Sequence, residues 1–234
     1  MPAPNSGMDR PGQFSGTFSL ARVKYDMISA LEALERLKAG NGRYVSNVMS
    51  LEALTSHGRR AEFVAEQKPI AVILGCSDSR VPAEIIFDQG LGELFVIRVA
   101  GNIVAPSQVG SVEFAAAQFG TPLVVVLGHS YCGAIGATID QLIGRGSSPS
   151  RNIRSIVNRI SPSIAGLVET DLRYDREGLM EEAVRANVRA SANHLRHGSE
   201  LLEQLIGEGT LVVVGAEYCL DSGRVDFFDV QESA

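Results

Sequence analysis

Four short, uninterrupted apolar runs constrain the fold of this chain more than any other feature. Each has the length and composition of a strand that is buried on both faces, and they span residues 70–75, 94–97, 123–128 and 211–215. Helical periodicity lies between them, over residues 109–119 and over a long stretch from about 179 to 206, which Gly198 can bend or interrupt. Buried strands that alternate with helices predict an α/β fold, with a mostly parallel central β-sheet flanked by helices.

The beginning of the chain has a different character. Residues 1–26 are rich in Pro, Gly and Ser, so we expect a flexible N-terminal arm there and a single folded domain over residues 27–234. A helical pattern begins that domain and predicts an N-terminal helical arm. We expect this helix to pack on a neighbouring subunit and to end at Gly40-Asn41-Gly42. Its apolar positions are Ile28, Leu31, Leu34 and Leu37.

Composition excludes several classes of function. A net charge of −6 and a pI near 5.3 argue against a nucleic-acid partner, because binding a phosphate backbone needs a basic surface. No apolar run approaches the ~20 residues that cross a bilayer, and the N-terminus lacks the apolar core of a secretory signal, so we expect no membrane partner. Three cysteines do not indicate a disulfide framework, and we expect a cytoplasmic location.

Two of the predicted strands end beside residue types that can bind metals, namely Cys, His and Asp. The run 70–75 leads into Cys76, Asp78 and Arg80, and the run 123–128 leads into His129 and Cys132. Ligands collect at the carboxyl edge of a parallel sheet, which is where these side chains would meet. Two thiolates and an imidazole suit Zn²⁺, whose catalytic sites often keep a fourth position open. We therefore predict one zinc ion per chain.

The remaining candidates carry weaker signals. Cys219 has no histidine neighbour and is interpreted as a packing residue. His57, His194 and His197 lie in polar surroundings and are expected to have no functional role, and residues 144–150 are expected to form a surface loop.

The motif Cys-Ser-Asp-Ser-Arg at 76–80, followed by His-Ser-Tyr-Cys-Gly at 129–133, resembles the β-class carbonic anhydrases. Three more segments match that family: 98–102 (RVAGN), 110–114 (GSVEF) and 218–223 (YCLDSG). The similarity covers about residues 28–228. It implies a catalytic domain in which zinc activates a water molecule that attacks CO2 and releases bicarbonate.

The resemblance also implies roles for individual residues. Asp78 orients the reacting water or, in a closed state, becomes the fourth zinc ligand, and Arg80 holds its carboxylate away from the metal. The pocket for CO2 and bicarbonate would be lined by residues that partly enter from a second subunit, so the active unit would be a homodimer or a multiple of one. These substrate-binding residues are Gln67, Phe95, Ala100 and Gly133.

Two positions depart from relatives in this family. Phe114 stands where plant-type relatives have tyrosine. Ile73 stands where one branch has a tryptophan that, with an arginine and a tyrosine equivalent to Arg98 and Tyr218, forms a second, inhibitory bicarbonate site. Because the tryptophan of that second site is missing, we place the chain with the plant-type-like, non-allosteric branch.

Three alternatives stay open at this point. The same scaffold and ligands could hydrolyse carbonyl sulfide or carbon disulfide. A non-catalytic zinc-binding protein would keep Asp78 permanently on the metal. A cysteine-dependent phosphatase would use Cys76 and Arg80, but only three residues separate them here, which is too short a loop to surround a phosphate.

Overall fold

The structure, a computed structural model, describes residues 28–48, 67–148 and 150–229. The predicted flexible arm, His57 and residue 149 lie outside this range. The helices of the described part are α1 (Ala30–Val45), α2 (Ala83–Ile86), α3 (Pro106–Phe119), α4 (Gly133–Leu142), α5 (Arg151–Ile164), α6 (Arg176–His197) and α7 (Glu200–Gly207). The strands are β1 (Ala71–Gly75), β2 (Leu94–Arg98), β3 (Leu123–His129), β4 (Val212–Tyr218) and β5 (Val225–Asp229).

One sheet with the strand order β2-β1-β3-β4-β5 forms the centre of the described fold. The first four strands are parallel, and β5 runs antiparallel to β4. The predicted α/β class and the four predicted parallel strands are confirmed, and α6 ends at Gly198 as the glycine suggested. The sequence patterns do not identify β5, α2, α4 or α5.

Helices cover both faces of the sheet because alternate strand residues point in opposite directions. On one face, α1 and α2 pack against side chains that include Ile73, Val125 and Ala216. On the other face, α3, α6 and α7 pack against side chains that include Leu74 and Val126. Among the described residues, no helix combines the length and the apolar character needed to span a bilayer.

The N-terminal helix is longer than predicted. It begins at a capping box, in which the Glu32 N–H donates to Ser29 Oγ and the Ser29 N–H donates to the Glu32 carboxylate. It does not stop at Gly40 but continues to Val45. A Cβ at Gly40 would lie 1.8 Å from the Phe87 carbonyl oxygen, so only glycine fits at this position. The glycine is required for close packing rather than for a stop.

The apolar face of α1 also packs on its own chain. Leu34 and Leu37 are buried in the core beneath the sheet, and Leu31 alone of the predicted apolar positions in this helix is two-thirds exposed. The contact of this helix with a neighbouring subunit stays a prediction, for which the exposed Leu31 is available.

A third apolar cluster lies beyond the carboxyl ends of β1 and β3. It is built by α4, α5 and α6, with Ile135, Ile160 and Val184 among its buried members. Cys76 and Cys132 belong to the same cluster, so the candidate metal ligands are held in a packed apolar environment.

Candidate metal centre

Neighbouring strands bring the three candidate ligands together. Gly75 at the end of β1 pairs with Leu127 in β3, so Cys76 and His129 follow at the same edge of the sheet. A short loop then returns to Cys132, the N-cap residue of α4. The ligand atoms of Cys76, His129 and Cys132 all lie within 4.8 Å of one another, and all three residues are buried.

His129 is oriented for metal binding through its second nitrogen. Its Nδ1 lies 2.9 Å from the Ser130 carbonyl oxygen, and donation there leaves a lone pair on Nε2. Nε2 is completely buried and has no hydrogen-bond partner within the described residues. Buried polar atoms are rarely left unpaired, so an ion at this position accounts for the arrangement. Two sulfurs and this nitrogen form a donor set that fits zinc.

The two thiols affect each other's ionisation. Hydrogen bonding with Cys132 lowers the pKa of Cys76, and His129 and the Gly101 N–H act in the same direction. The same pairing, together with burial, raises the pKa of Cys132. A cation that binds both sulfurs would favour loss of the protons from both thiols.

Asp78 and Arg80 form an ion pair beside the cluster. Arg80 donates from Nε to Asp78 Oδ1 over 2.9 Å and from Nη2 to Oδ2 over 2.8 Å, and its backbone N–H donates to Oδ1 over 3.0 Å. These bonds hold the pKa of the Asp78 carboxyl well below its usual range. Asp78 Oδ2 lies 4.0 Å from His129 Nε2, which places a fixed negative charge next to the candidate metal position.

The predicted pocket residues divide into two groups. Ala100 begins the short 3₁₀ turn Ala100–Asn102 beside Cys76, and Gly133 is the first residue of α4, where its N–H has no intrahelical acceptor. Phe95 instead pairs with Val72, four residues before Cys76, or about 13 Å along the strand. Gln67 is exposed at the start of the second described segment. Within one chain, the structure does not bring Phe95 to the ligand cluster.

The other cysteine and histidines are separate from the cluster. Cys219 is only partly buried, so packing in the core does not account for its whole side chain. It also lines a cleft of about 1030 Å³ together with Tyr131 and Asp226. His194 and His197 are exposed on α6, as expected.

The residues that hold the turn beside Cys76 were not among those predicted from the sequence. Asn187 and Ser191 on α6 donate to the carbonyl oxygens of Gly101 and Asn102. A signal for them exists in the sequence: they are polar residues four positions apart on the same helical stripe as the apolar Val184 and Val188.

Comparison with known proteins agrees with this site. A family model described as carbonic anhydrase matches residues 71–225. A carbonic anhydrase of Mycolicibacterium smegmatis is 40% identical over 199 residues, covering 83% of this chain and 91% of that protein. Carbonic anhydrase 2 of Mycobacterium tuberculosis is 41% identical over 194 residues, covering 82% of this chain and 89% of that protein. This chain belongs to the β-class carbonic anhydrase family.

Solved β-carbonic anhydrases share the fold of this family member. A tetrameric enzyme from Sordaria macrospora aligns with a TM-score of 0.66 at 21% identity, covering 85% of this chain and 95% of that one. A β-carbonic anhydrase of Aspergillus fumigatus also gives 0.66, at 22% identity, with coverages of 83% and 90%. The prediction that this chain is a carbonic anhydrase is confirmed by its relatives.

Proposed function

We propose that this β-carbonic anhydrase catalyses the zinc-dependent, reversible hydration of CO2 to bicarbonate and a proton. One zinc ion per chain would be held by Cys76, His129 and Cys132. The observation that carries the proposal is the convergence of these three buried ligand atoms, with His129 Nε2 left without a partner among the described residues. A bound zinc ion would supply the Lewis acidity that lets a water molecule lose a proton near neutral pH.

Asp78 and Arg80 would orient the reacting water. An ionised carboxylate only accepts hydrogen bonds, so Asp78 can accept a hydrogen bond from the water and leave the water's lone pair directed at CO2. Arg80 would keep that carboxylate in place through its two side-chain bonds. This pairing supports a catalytic site over a non-catalytic one, because an Asp78 engaged by Arg80 is not available to close the metal position.

Ala100 and Gly133 would contact the substrate from the same chain. The Gly133 N–H, unused by α4, would donate to an oxygen of bicarbonate, and open space surrounds the position where a Cβ would stand. Gln67 and Phe95 would complete the pocket from a second subunit, since Phe95 lies too far along β2 to reach the cluster of its own chain.

The test combines metal analysis with stopped-flow CO2 hydration on the same samples. We expect stoichiometric zinc in the unsubstituted chain, and a joint loss of zinc and hydration in Cys76→Ala, His129→Ala and Cys132→Ala, because each removes one of three ligands. Cys219→Ala is the matched control and should retain both. A Cys76→Ala protein that keeps stoichiometric zinc would contradict the ligand assignment, and turnover of carbonyl sulfide or carbon disulfide in place of CO2 would contradict the substrate.

A homodimer, or a multiple of one, is part of this proposal. Strand β2 is an edge of the sheet in the described fold, and its apolar residues remain partly exposed. Phe95 forms a ring cluster with Phe114 and Phe119, at centroid distances of 6.4 and 6.1 Å, next to that edge. An open apolar edge favours association with another chain. Sedimentation should show dimers or larger species at micromolar concentration, and an active monomer would contradict this.

A reducing compartment also belongs to the proposal, because Cys76 and Cys132 must stay unoxidised to bind zinc. All three cysteines are free thiols. Fractionation of cells that express the chain should recover it with cytoplasmic proteins, and recovery in an oxidising compartment would contradict the location.

A further inference from the structure

A turn of unusual backbone conformation contacts Cys76. Gly101 has φ +69° and Asn102 has φ +42°, a region that residues other than glycine seldom occupy. The Gly101 N–H donates to Cys76 Sγ over 3.4 Å. A backbone in this region persists only where its surroundings hold it, so the contacts of the turn determine whether the bond to sulfur forms.

Helix α6 provides those contacts. Asn187 Nδ2 donates to the Gly101 carbonyl oxygen over 2.9 Å, and Ser191 Oγ donates to the Asn102 carbonyl oxygen over 3.1 Å. The two residues are four apart, so they share one face of the helix. Both are buried, and burying polar groups inside an apolar stripe is costly unless they are hydrogen-bonded.

The other side of the turn is closed by apolar packing. A Cβ built on Gly101 would lie 2.8 Å from Ile160 Cδ1 and 3.1 Å from Ala134 Cβ. With its carbonyl oxygens held by α6 and its other side filled by α4 and α5, the turn has little room to rotate. The Gly101 N–H is therefore directed at the sulfur.

We propose that Asn187 is a positioning residue for the metal centre, which acts by fixing the Gly101–Asn102 turn so that the Gly101 N–H donates to the Cys76 sulfur. This inference rests on the proposed function, in which Cys76 binds zinc as a thiolate. A hydrogen bond to the thiolate fixes its direction and moderates its charge. Groups that orient metal ligands in this way strongly affect how tightly the metal is held.

The experiment measures metal binding in the full chain. Zinc affinity is determined by competition with a chromophoric chelator, and the sulfur-to-metal charge-transfer absorption is recorded after cobalt substitution. For Asn187→Ala we expect zinc affinity to fall about tenfold, with a shift of the charge-transfer band, because the Gly101 N–H is no longer held on the sulfur. Ser191→Ala removes the hydrogen bond to the carbonyl oxygen of Asn102, the residue after Gly101. We expect zinc affinity and the charge-transfer band to change in the same direction as in Asn187→Ala, but by less.

Asn41→Ala is the matched control. Asn41 is also a buried asparagine that donates to backbone carbonyls, those of Ile86 and Gly223, but it holds a different part of the fold. It should lose thermal stability without a change in zinc affinity or in the cobalt spectrum. A loss of zinc affinity equal to that of Asn187→Ala would overturn the proposal, since the effect would then reflect general stability.

Two further outcomes are decisive. Zinc affinity and a cobalt spectrum unchanged in Asn187→Ala would overturn the positioning role while leaving the zinc site intact, whereas an unsubstituted chain that binds no zinc would overturn the proposed function itself. If Asn187→Ala does not fold, Ser191→Ala decides: an unchanged spectrum and affinity overturn the proposal, and the expected shift supports it.

Discussion

Arg80 donates two side-chain hydrogen bonds to the carboxylate of Asp78, one to each oxygen, over 2.9 and 2.8 Å. The same carboxylate lies 4.0 Å from His129 Nε2, which has no hydrogen-bond partner in the part of the chain that the structure describes. A charged acceptor thus stands beside the proposed metal position without occupying it. Replacing Asp78 and replacing Arg80 should therefore have different consequences for the enzyme.

Asp78→Asn should reduce kcat for CO2 hydration by about a hundredfold or more, with zinc content unchanged. The amide keeps the shape of the side chain but lacks the charge and the second acceptor. Arg80→Ala should lower activity by freeing Asp78 to approach the metal. The measurement is kcat beside metal content, with the exposed Asp171→Asn as control. Turnover close to that of the unsubstituted enzyme in Asp78→Asn would rule out the proposed role.

Asn41→Ala should destabilise the fold by about 3 kcal/mol, because buried backbone groups lose their partners. Asn41 donates to the carbonyl oxygens of Ile86 and Gly223 over 3.2 and 2.9 Å, and it accepts from the Val225 N–H over 2.9 Å. It therefore joins α1 to the region after β1 and to the β4–β5 hairpin. Urea unfolding measures the change, and a loss below about 1 kcal/mol would show that these bonds are replaced by water.

Asn41 also shows where prediction from the sequence reaches its limit. The parallel strands are identified from sequence because each contains a continuous apolar run. In β1, β3 and most of β4 both faces are buried, whereas the apolar residues of the edge strand β2 are partly exposed. A helix whose polar and glycine residues serve distant contacts carries no such pattern. Gly40 and Asn41 resemble a stop when read locally, yet one allows close approach to Phe87 and the other binds three distant backbone groups.

Other elements escape prediction for related reasons. Strand β5, with the sequence VDFFD, mixes charged and apolar residues at a sheet edge and has no long apolar run. The ligand set Cys76, His129 and Cys132 could be predicted because its residue types are rare and follow strand ends. The contact from Asn187 to the turn beside Cys76 joins residues 86 positions apart, and only the folded chain brings them together.

Cys219 should be the cysteine that reacts first with iodoacetamide in the zinc-loaded enzyme. It is partly exposed, and a hydrogen bond with the Ser222 hydroxyl lowers the pKa of its thiol. A lowered pKa means more thiolate at a given pH, so the labelling rate should level off with a midpoint below the ordinary thiol value of about 8.5. Cys76 and Cys132 are buried and should be protected by the metal.

Ser222→Ala tests the cause of that reactivity. Without the hydroxyl the midpoint of the rate should move to higher pH, and labelling at pH 7 should slow. Peptide mass spectrometry identifies the labelled cysteine. Preferential labelling of Cys76 or Cys132 in zinc-loaded protein would argue against a metal on those sulfurs, and an unchanged midpoint in Ser222→Ala would show that the hydroxyl does not set the pKa.

One branch of the family has a second bicarbonate site that includes a tryptophan. This chain has Ile73 at the position of that tryptophan. Ile73 is completely buried in β1 and offers no donor. The other two residues are engaged within the chain. The Arg98 side chain donates to the carbonyl oxygens of Cys76 and Asp78, and the Tyr218 hydroxyl lies 3.0 Å from that of Tyr44.

We therefore expect no inhibitory bicarbonate at Arg98 and Tyr218. A missing donor in a buried anion site costs about 1–3 kcal/mol, which weakens binding roughly tenfold or more, and Arg98 would also have to leave its two carbonyl partners. Activity between about pH 6.5 and 9 should change smoothly, and high bicarbonate should act only as a simple competing product. Crystals grown near pH 7 in high bicarbonate provide the structural measurement. Bicarbonate bound by Arg98 and Tyr218, with Asp78 on the metal and a steep cooperative loss of activity below about pH 8, would contradict the prediction, because the site would then form without the tryptophan.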